Sequence, residues 1–381
     1  MKKITLSALL LAASMLAFFS CSKEQAVPIT TTTSEVDFQK VKNDIRQSWE
    51  TIRNVQGIKD MDLETRAGQF IVVPAGSNNA LVKAITDAGE GGIVYLRAGL
   101  HTETSNITIK QRVVLIGENG AVLKIKSKTN PTPTETTSAA LHVQNAPRTL
   151  IQNIDIQPIE GNGGAAILME NSHQSAMMFC TVSKHQYGLM VEKSDQLTIM
   201  KNKITVADGW QTGALATAFG ITIINGTSAY VADNVVSNAI FGIWACDRYG
   251  TCIRNSATGN LIGIILCNVP KEVILPSGEV TGSKFPGANW KVRDNISTDN
   301  FDAGYLVIDG ANNNILENNQ AARNGTYDIE LTGDTYRFGF LTPLSRNNTV
   351  RALAGQIVKN CGVNYTVIGG NLVNNATDPC N

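Results

Sequence analysis

Between Gly220 and Leu266 the chain repeats one short pattern, first after 22 residues and then after 21. Each copy enters an alternating apolar run through a glycine, at Gly220, Gly242 or Gly263, and leaves it through Asn or Asp. Period-two alternation is typical of strands, and repeats of about 20–50 residues are typical of solenoids. The pattern therefore predicts a β-solenoid in which each repeat forms one coil and packs on its neighbours.

The same register extends over most of the chain. Similar runs begin at eight positions, namely Ala140, Ala166, Gly188, Gly220, Gly242, Gly263, Gly304 and Asp328. The second run of many copies contains an asparagine, at Asn153, Asn202, Asn234, Asn255, Asn295 and Asn318. An asparagine at one position per coil is predicted to satisfy turn backbone groups and to hydrogen-bond to the asparagine of the next coil.

With this register the chain resembles the right-handed parallel β-helices of the pectate-lyase-like superfamily, over roughly residues 68–375. The resemblance implies an all-β solenoid domain over residues 67–381, closed at its N-terminal end by a short capping helix. Leu81, Ala84, Ile85 and Ala88 have the helical spacing that such a capping helix needs. A shared architecture implies no particular reaction.

The N-terminus has the features of an export signal. Two lysines precede an apolar run over residues 6–19, which ends at Ser20-Cys21. This predicts a signal peptide over residues 1–20, too short to span a bilayer securely. The Ser-Cys step resembles the lipobox of bacterial lipoproteins, which implies a lipidated Cys21, a tether over 21–34 and a place in the cell envelope, at the outer membrane, facing the periplasm or the cell surface. The alternative is an ordinary signal peptide with an incidental Cys21.

Residues 35–66 contain the pattern of an amphipathic helix. Apolar residues recur at spacings of three and four, at Phe38, Val41, Ile45, Trp49 and Ile52. One face of this helix is therefore predicted to be buried. This face is predicted to pack either on the side of the solenoid or on a partner, such as another subunit of a homo-oligomer that assembles through residues 35–55.

Net charge and the histidine and cysteine content limit the kinds of ligand that the sequence favours. With 32 basic and 32 acidic residues, the net charge does not favour nucleic acid or an anionic membrane surface. The four histidines are scattered, and no cysteine stands near one at zinc-site spacing, so neither a metal nor another cofactor is predicted. An exported chain can oxidise its cysteines. Cys246 and Cys267 share a register position, about 4.8 Å apart on parallel strands, and Cys361 is predicted to pair with Cys380.

The register also predicts which side chains meet on the outside of the coil. The first and third residues after the glycine position are apolar and point inward, so the second and fourth point outward. Glu170 and Glu192 are then neighbours about 5 Å apart, the separation typical of the two carboxylates of retaining glycosidases. His142 and Gln144 follow one coil away. The alternative is a pair of solvated glutamates neutralised by a nearby lysine.

Other candidate site residues lie farther along the chain. Asp247, Arg248 and Tyr249 offer an acid, a cation and an aromatic ring at one turn, although Asp247 is also the turn residue of its copy. Trp244, on the strand before this turn, is a further candidate for substrate binding. Two insertions in the repeat each add a tryptophan, Trp210 and Trp290, whose rings suit stacking on a sugar. The alternative is that each tryptophan packs its own loop.

These features predict an exported lipoprotein that binds and processes a carbohydrate polymer, as a lyase, a hydrolase or a fructotransferase-like transglycosidase. A non-catalytic glycan-binding protein and a structural envelope protein are the alternatives. The strings Asn-Thr-Asp, Gly-His-Gly and Arg-Ile-Lys of polygalacturonase-like enzymes do not occur, and neither does the Asp-Pro-His-Asp of mannuronan epimerases. The resemblance therefore identifies no reaction.

Overall fold

The computed structural model of the chain describes residues 36–58, 68–127, 139–207, 218–267, 287–333 and 343–373. Within these ranges the strands form three parallel columns, and each strand pairs with strands about one repeat before and after it. Ile243, for example, pairs with Ile221 on one side and Ile264 on the other. The chain is therefore a parallel β-helix, and the predicted fold class is confirmed.

The first column is a sheet of 12 described strands. In spatial order they are β1 (Phe70–Val73), β2 (Gly92–Leu96), β5 (Val113–Gly117), β8 (Leu150–Gln152), β11 (Ala176–Met178), β13 (Thr198–Met200), β16 (Tyr230–Ala232), β19 (Thr251–Ile253), β22 (Lys291–Arg293), β25 (Ile315–Glu317), β28 (Thr349–Arg351) and β30 (Thr366–Ile368).

The other two columns share the long strand β12 (Thr181–Glu192), which joins them into one sheet of 19 described strands. The second column contains, besides β12, β3 (Gly99–Glu103), β6 (Ala121–Ile125), β9 (Asp155–Pro158), β14 (Lys203–Val206), β17 (Val235–Ser237), β20 (Ser256–Thr258), β23 (Ile296–Thr298) and β26 (Gln320–Ala322). The third contains, besides β12, β4 (Ile107–Ile109), β7 (Ala139–Gln144), β10 (Gly163–Glu170), β15 (Phe219–Thr227), β18 (Phe241–Arg248), β21 (Ile262–Leu266), β24 (Ala303–Val307), β27 (Tyr327–Leu331), β29 (Ile357–Asn360) and β31 (Asn371–Val373).

The eight predicted repeat units are all found in the third column, as strands β7, β10, β12, β15, β18, β21, β24 and β27. The sequence pattern did not mark β29 and β31, the last two members of this column. Inward residues of all three columns form one apolar core, in which Val231 of the first column, Val236 of the second and Ile264 of the third are at most 2% exposed.

A buried asparagine ladder fixes one corner of the coil. Each side-chain amide donates to the carbonyl oxygen of the next asparagine, over 2.9–3.0 Å, along the series Asn202, Asn234, Asn255, Asn295 and Asn319. The prediction is confirmed for the first four and wrong for two others. Asn153 and Asn318 instead occupy turn positions with φ of 56° and 55°, a backbone region that asparagine tolerates well.

Two helices precede the complete coils in the described part of the chain. Helix α2 (Leu81–Ala88) packs against β1 and β2, with the four predicted apolar residues buried. The Glu103 carboxylate accepts a 2.8 Å hydrogen bond from the Leu81 amide, which satisfies an open donor at the start of this helix. The predicted capping helix is therefore present.

Helix α1 (Phe38–Gln56) is shorter than the predicted 35–66 segment; residues 59–67 lie outside the described ranges. Ile45, Trp49 and Ile52 are at most 1% exposed. Gln56 donates 2.6 Å to the Leu197 carbonyl, and Ser48 donates 2.8 Å to the Gln152 side chain. This stretch therefore packs on the side of the solenoid, so its apolar stripe is used within the chain. No helix among the described residues has the length and hydropathy needed to span a bilayer.

Candidate functional site

The outward face of the third column carries the predicted carboxylate pair. Glu170 of β10 and Glu192 of β12 are register partners. Their strand neighbours Met169 and Val191 belong to the inner core, and side chains alternate along a strand. Both carboxylates therefore project from the outer surface of adjacent coils, as the repeat predicted.

Two nitrogen donors orient Glu170. The Nε2 atom of His142 lies 2.9 Å from Oε2 of Glu170, and the side-chain amide of Gln144 donates to the same oxygen over 3.2 Å. Because a carboxylate only accepts, the His142 tautomer that fits carries its proton on Nε2. We call His142, Gln144, Glu170 and Glu192 the carboxylate shelf.

The shelf contains two carboxylates in different surroundings. The side chains of His142 and Glu170 are 18% and 14% exposed, whereas Glu192 is 1% exposed. Glu170 is thus in contact with solvent, whereas Glu192 is buried. Both hydrogen bonds to Glu170 fall on Oε2, so Oε1 takes part in neither of them.

Beyond the shelf, the outward face becomes apolar and buried. Its side chains form a second apolar cluster, which we call the outer cluster: Ala139, Ala165, Leu168, Tyr187, Met190, Phe219, Ile224, Trp244, Cys246, Ile262, Ile265, Cys267, Leu306 and Ile308. All are at most 5% exposed. The predicted outward direction of these side chains agrees with the structure, but an outward direction does not make them a solvent-exposed wall.

Trp244 belongs to this outer cluster and does not line an open groove. It is 3% exposed, and its ring lies 4.7 Å from the Phe219 ring and 5.1 Å from the Phe241 ring, measured between centroids. Its indole N–H points to the sulfur of Cys267. Both the face and the polar edge of this ring are engaged inside the protein, so the predicted sugar-binding role for Trp244 was wrong.

Cys246 and Cys267 are not in a disulfide, and their sulfur atoms lie 3.4 Å apart. Burial raises the pKa of the Cys246 thiol well above its usual range, and the neighbouring Cys267 adds to the rise. The register prediction placed them together, but the predicted bond between them is not formed here. Cys361 is disulfide-bonded; its predicted partner, Cys380, lies outside the described residues.

Asp247 and Arg248 do not join the shelf. Asp247 follows Cys246, which lies three strands beyond Glu170 along the column, about 14 Å at a strand spacing of about 4.8 Å. Its carboxylate is fully buried, and burial raises its pKa well above the usual range, a rise that the indole N–H of Trp290 and the charge of Arg248 oppose. The Arg248 guanidinium lies over the Tyr249 ring, 5.9 Å from its centroid.

The structure describes only one of the two tryptophans that were predicted to bind substrate from the insertions. Trp290 is fully buried in the inner core, and its indole N–H donates 3.1 Å to the Asp247 backbone carbonyl. Gly250 makes room for it, because a Cβ there would lie 2.3–2.4 Å from carbons of the indole ring. Substrate binding by Trp290 was therefore a wrong prediction. Trp210 lies outside the described residues, as does Cys21.

Comparison with known proteins agrees with the fold. The chain is similar over residues 99–273 to the family described as periplasmic copper-binding protein (NosD). The pectate lyase Pel9A is 10% identical, covers 81% of this chain and 79% of its own, and superposes with a TM-score of 0.51. At this identity the likeness shows a β-helix fold.

Two epimerases are similar at lower TM-scores. The A-module of the mannuronan C-5 epimerase AlgE6 from Azotobacter vinelandii is 13% identical, with 77% of this chain and 89% of that chain covered and a TM-score of 0.48. The periplasmic alginate epimerase AlgG is 12% identical, with 83% and 82% covered and a TM-score of 0.49. No curated protein sequence matches the chain.

Proposed function

We propose that the carboxylate shelf binds and cleaves a carbohydrate polymer. The observation that carries this proposal is the pairing of Glu170 with Glu192 on adjacent strands, with Glu170 held by His142 and Gln144. Two carboxylates about 5 Å apart suit a double displacement, in which one acts as nucleophile and the other as general acid and then base. The pectate lyase named above has a similar fold and acts on a polysaccharide, which adds support.

The surroundings of the two carboxylates support a division of roles. Glu170 is partly exposed, and the two nitrogen donors on its Oε2 fix its direction. This suits a nucleophile. Glu192, which is 1% exposed, is proposed as the general acid that protonates the leaving sugar oxygen. The shelf has two acids and one histidine, so a neutral polymer fits it better than a polyanionic one.

Export belongs to the same proposal. The NosD family is described as periplasmic and so is the epimerase AlgG, which agrees with the signal peptide and lipidated Cys21 expected from the sequence. The name of the NosD family also includes copper binding. Among the described residues, however, no group of three or more His, Cys, Asp or Glu side chains is placed to hold a metal ion, so copper binding is not part of the proposal.

The test is an assay of the purified mature chain on plant, algal and fructan polysaccharides. Glu170→Gln and Glu192→Gln are expected to lower turnover by at least about 100-fold, because each removes an acid–base or nucleophilic group. Glu317→Gln, a surface glutamate beside Arg351, is the matched control and should leave turnover unchanged.

Three outcomes are decisive. Turnover that survives in both shelf variants would remove the pair from the mechanism. Binding of a polymer without cleavage would favour the non-catalytic alternative. Neither binding nor cleavage of any polymer would favour a structural envelope protein.

A further inference from the structure

A serine and a histidine that are 58 positions apart in the chain meet near the start of β10, outside the carboxylate shelf. The Oγ atom of Ser127 lies 3.4 Å from Nδ1 of His185 and accepts a 3.0 Å hydrogen bond from the Gly164 amide. His185 lies on β12, seven positions before Glu192. The two sites therefore share a strand but no residue.

The direction of the hydrogen bond between Ser127 and His185 depends on the tautomer of His185. The Gly164 amide is a donor, so it occupies a lone pair of Ser127 and leaves the hydroxyl proton of the serine available to another acceptor. His185 is fully buried, and burial lowers its pKa to about 4, so its ring is neutral at neutral pH. In the tautomer that carries its proton on Nε2, the Nδ1 atom accepts from the Ser127 hydroxyl, as a general base does from a nucleophilic serine.

Gly163 is what allows this contact. A Cβ at this position would lie 2.5 Å from both Ser127 Oγ and His185 Nδ1, closer than side-chain atoms can approach without displacing one of them. The absence of a side chain at Gly163 thus leaves the hydroxyl and the ring within reach of each other.

The serine also lines a pocket. The cavity encloses about 370 Å³ and is bordered by Thr104, Lys126, Ser127, Pro158, Ile159 and Glu160. This volume lies within the range of small-molecule sites, about 300–1,000 Å³. Pro158 and Ile159 provide apolar surface for a short acyl group, and Lys126 brings to the same pocket a positive charge of the kind that stabilises an oxyanion.

We propose that Ser127 and His185 form the nucleophile and general base of a second catalytic site, which hydrolyses esters of short carboxylic acids with alcohols such as sugar hydroxyls. Nδ1 of His185 takes the hydroxyl proton while Ser127 Oγ bonds to the ester carbonyl carbon. The ester C–O bond then breaks, and the alcohol leaves with that proton. Water next attacks the acyl-serine, gives one proton through Nδ1 back to Oγ and releases the carboxylic acid. The sum is ester plus water to acid plus alcohol.

The experiment treats the purified mature chain with a fluorophosphonate probe, maps the labelled peptide by mass spectrometry and measures 4-nitrophenyl acetate hydrolysis. Ser127 should be the labelled residue. Ser127→Ala should abolish the label and lower hydrolysis by at least about 100-fold, whereas Ser105→Ala, at an exposed serine, should change neither.

Two results would overturn the proposal: no label on Ser127 in the wild-type chain, or hydrolysis retained by Ser127→Ala. If that variant does not fold, the wild-type peptide map alone decides. Glu170→Gln should keep the full label, so this site and the carboxylate shelf can fail independently.

Discussion

Asp247 is a carboxylic acid buried without a hydrogen bond to either side-chain oxygen among the described residues. Burial raises its pKa, and the negative charge of Asp195 adds to the rise. The folded chain therefore keeps a proton that the unfolded chain loses above about pH 4. By proton linkage, the contribution of Asp247 to the free energy of unfolding therefore becomes increasingly unfavourable as the pH rises from about 4 toward the pKa of the folded chain.

Asp247→Asn should therefore stabilise the chain at pH 7. The amide has nearly the same shape and does not ionise, so the expected gain in free energy of unfolding is about 1–3 kcal/mol. Near pH 4 the gain should vanish, since Asp247 is then protonated in both states. Thermal unfolding of both chains at pH 4, 5, 6 and 7 measures this, and a gain independent of pH would contradict it.

At the residue scale, the sequence predicted which way a side chain points from its strand better than it predicted whether that side chain is buried. Glu170 and Glu192 were placed as neighbours because the repeat assigns each residue a coil and a side of the strand. Trp244 was misjudged because alternation says which side of a strand a residue takes, not whether that side meets water. Trp290 was misjudged because it was assigned to an insertion, whereas its ring lies in the inner core. Ser127 and His185 carry no local motif, so only folded coordinates bring them together.

At the scale of elements, the asparagine ladder is a buried network of hydrogen bonds between neighbouring coils. Asn255 donates to Asn295 and to the Val231 carbonyl, and its own Oδ1 accepts from the backbone and side chain of Asn234. Buried networks of this kind are stabilising only when each member has its partners. The ladder thus links neighbouring turns across four coil boundaries.

Asn255→Ala should destabilise the chain strongly, because it leaves buried donors and acceptors of two neighbouring coils unsatisfied. The expected loss in free energy of unfolding is on the order of 2–5 kcal/mol. Asn318→Ala, at an asparagine with φ of 55°, should cost about 1–2 kcal/mol from backbone strain. Urea unfolding of both variants measures the difference, and equal losses would show that the ladder adds nothing beyond turn geometry.

Sequence periodicity predicted the strands of the third column more reliably than it predicted which asparagines form hydrogen-bonded ladders. Alternating apolar residues, entered through glycine in five of the eight copies, marked eight strands of the third column, because an inward apolar side chain is required in every coil. Two further ladders, Asn260–Asn300–Asn324 and Asn314–Asn348, went unpredicted. Asparagine is common in every turn of this chain, so adjacent asparagines such as Asn318 and Asn319 cannot be separated without the register.

For the whole molecule, the decisive expectation is membrane attachment through Cys21. Two or more acyl chains give stable anchoring, whereas one chain binds only marginally. Cys21→Ser should therefore move the protein from the membrane fraction to the soluble fraction of a cell that makes it. Ser22→Ala is the matched control and should stay with the membrane. A Cys21→Ser chain that still sediments with membranes would refute lipid attachment at this residue.

The hydrogen bonds of the asparagine ladder join residues that are separated by different lengths of chain. Asn234 and Asn255 are 21 positions apart, and Asn255 and Asn295 are 40 apart, yet their side-chain bonds measure 2.9 Å and 3.0 Å. The hydrogen bond between asparagines of neighbouring coils therefore does not depend on the number of residues between them. Connecting segments of different length and sequence are expected to be tolerated between coils, so that a binding surface can change while the inner core stays the same.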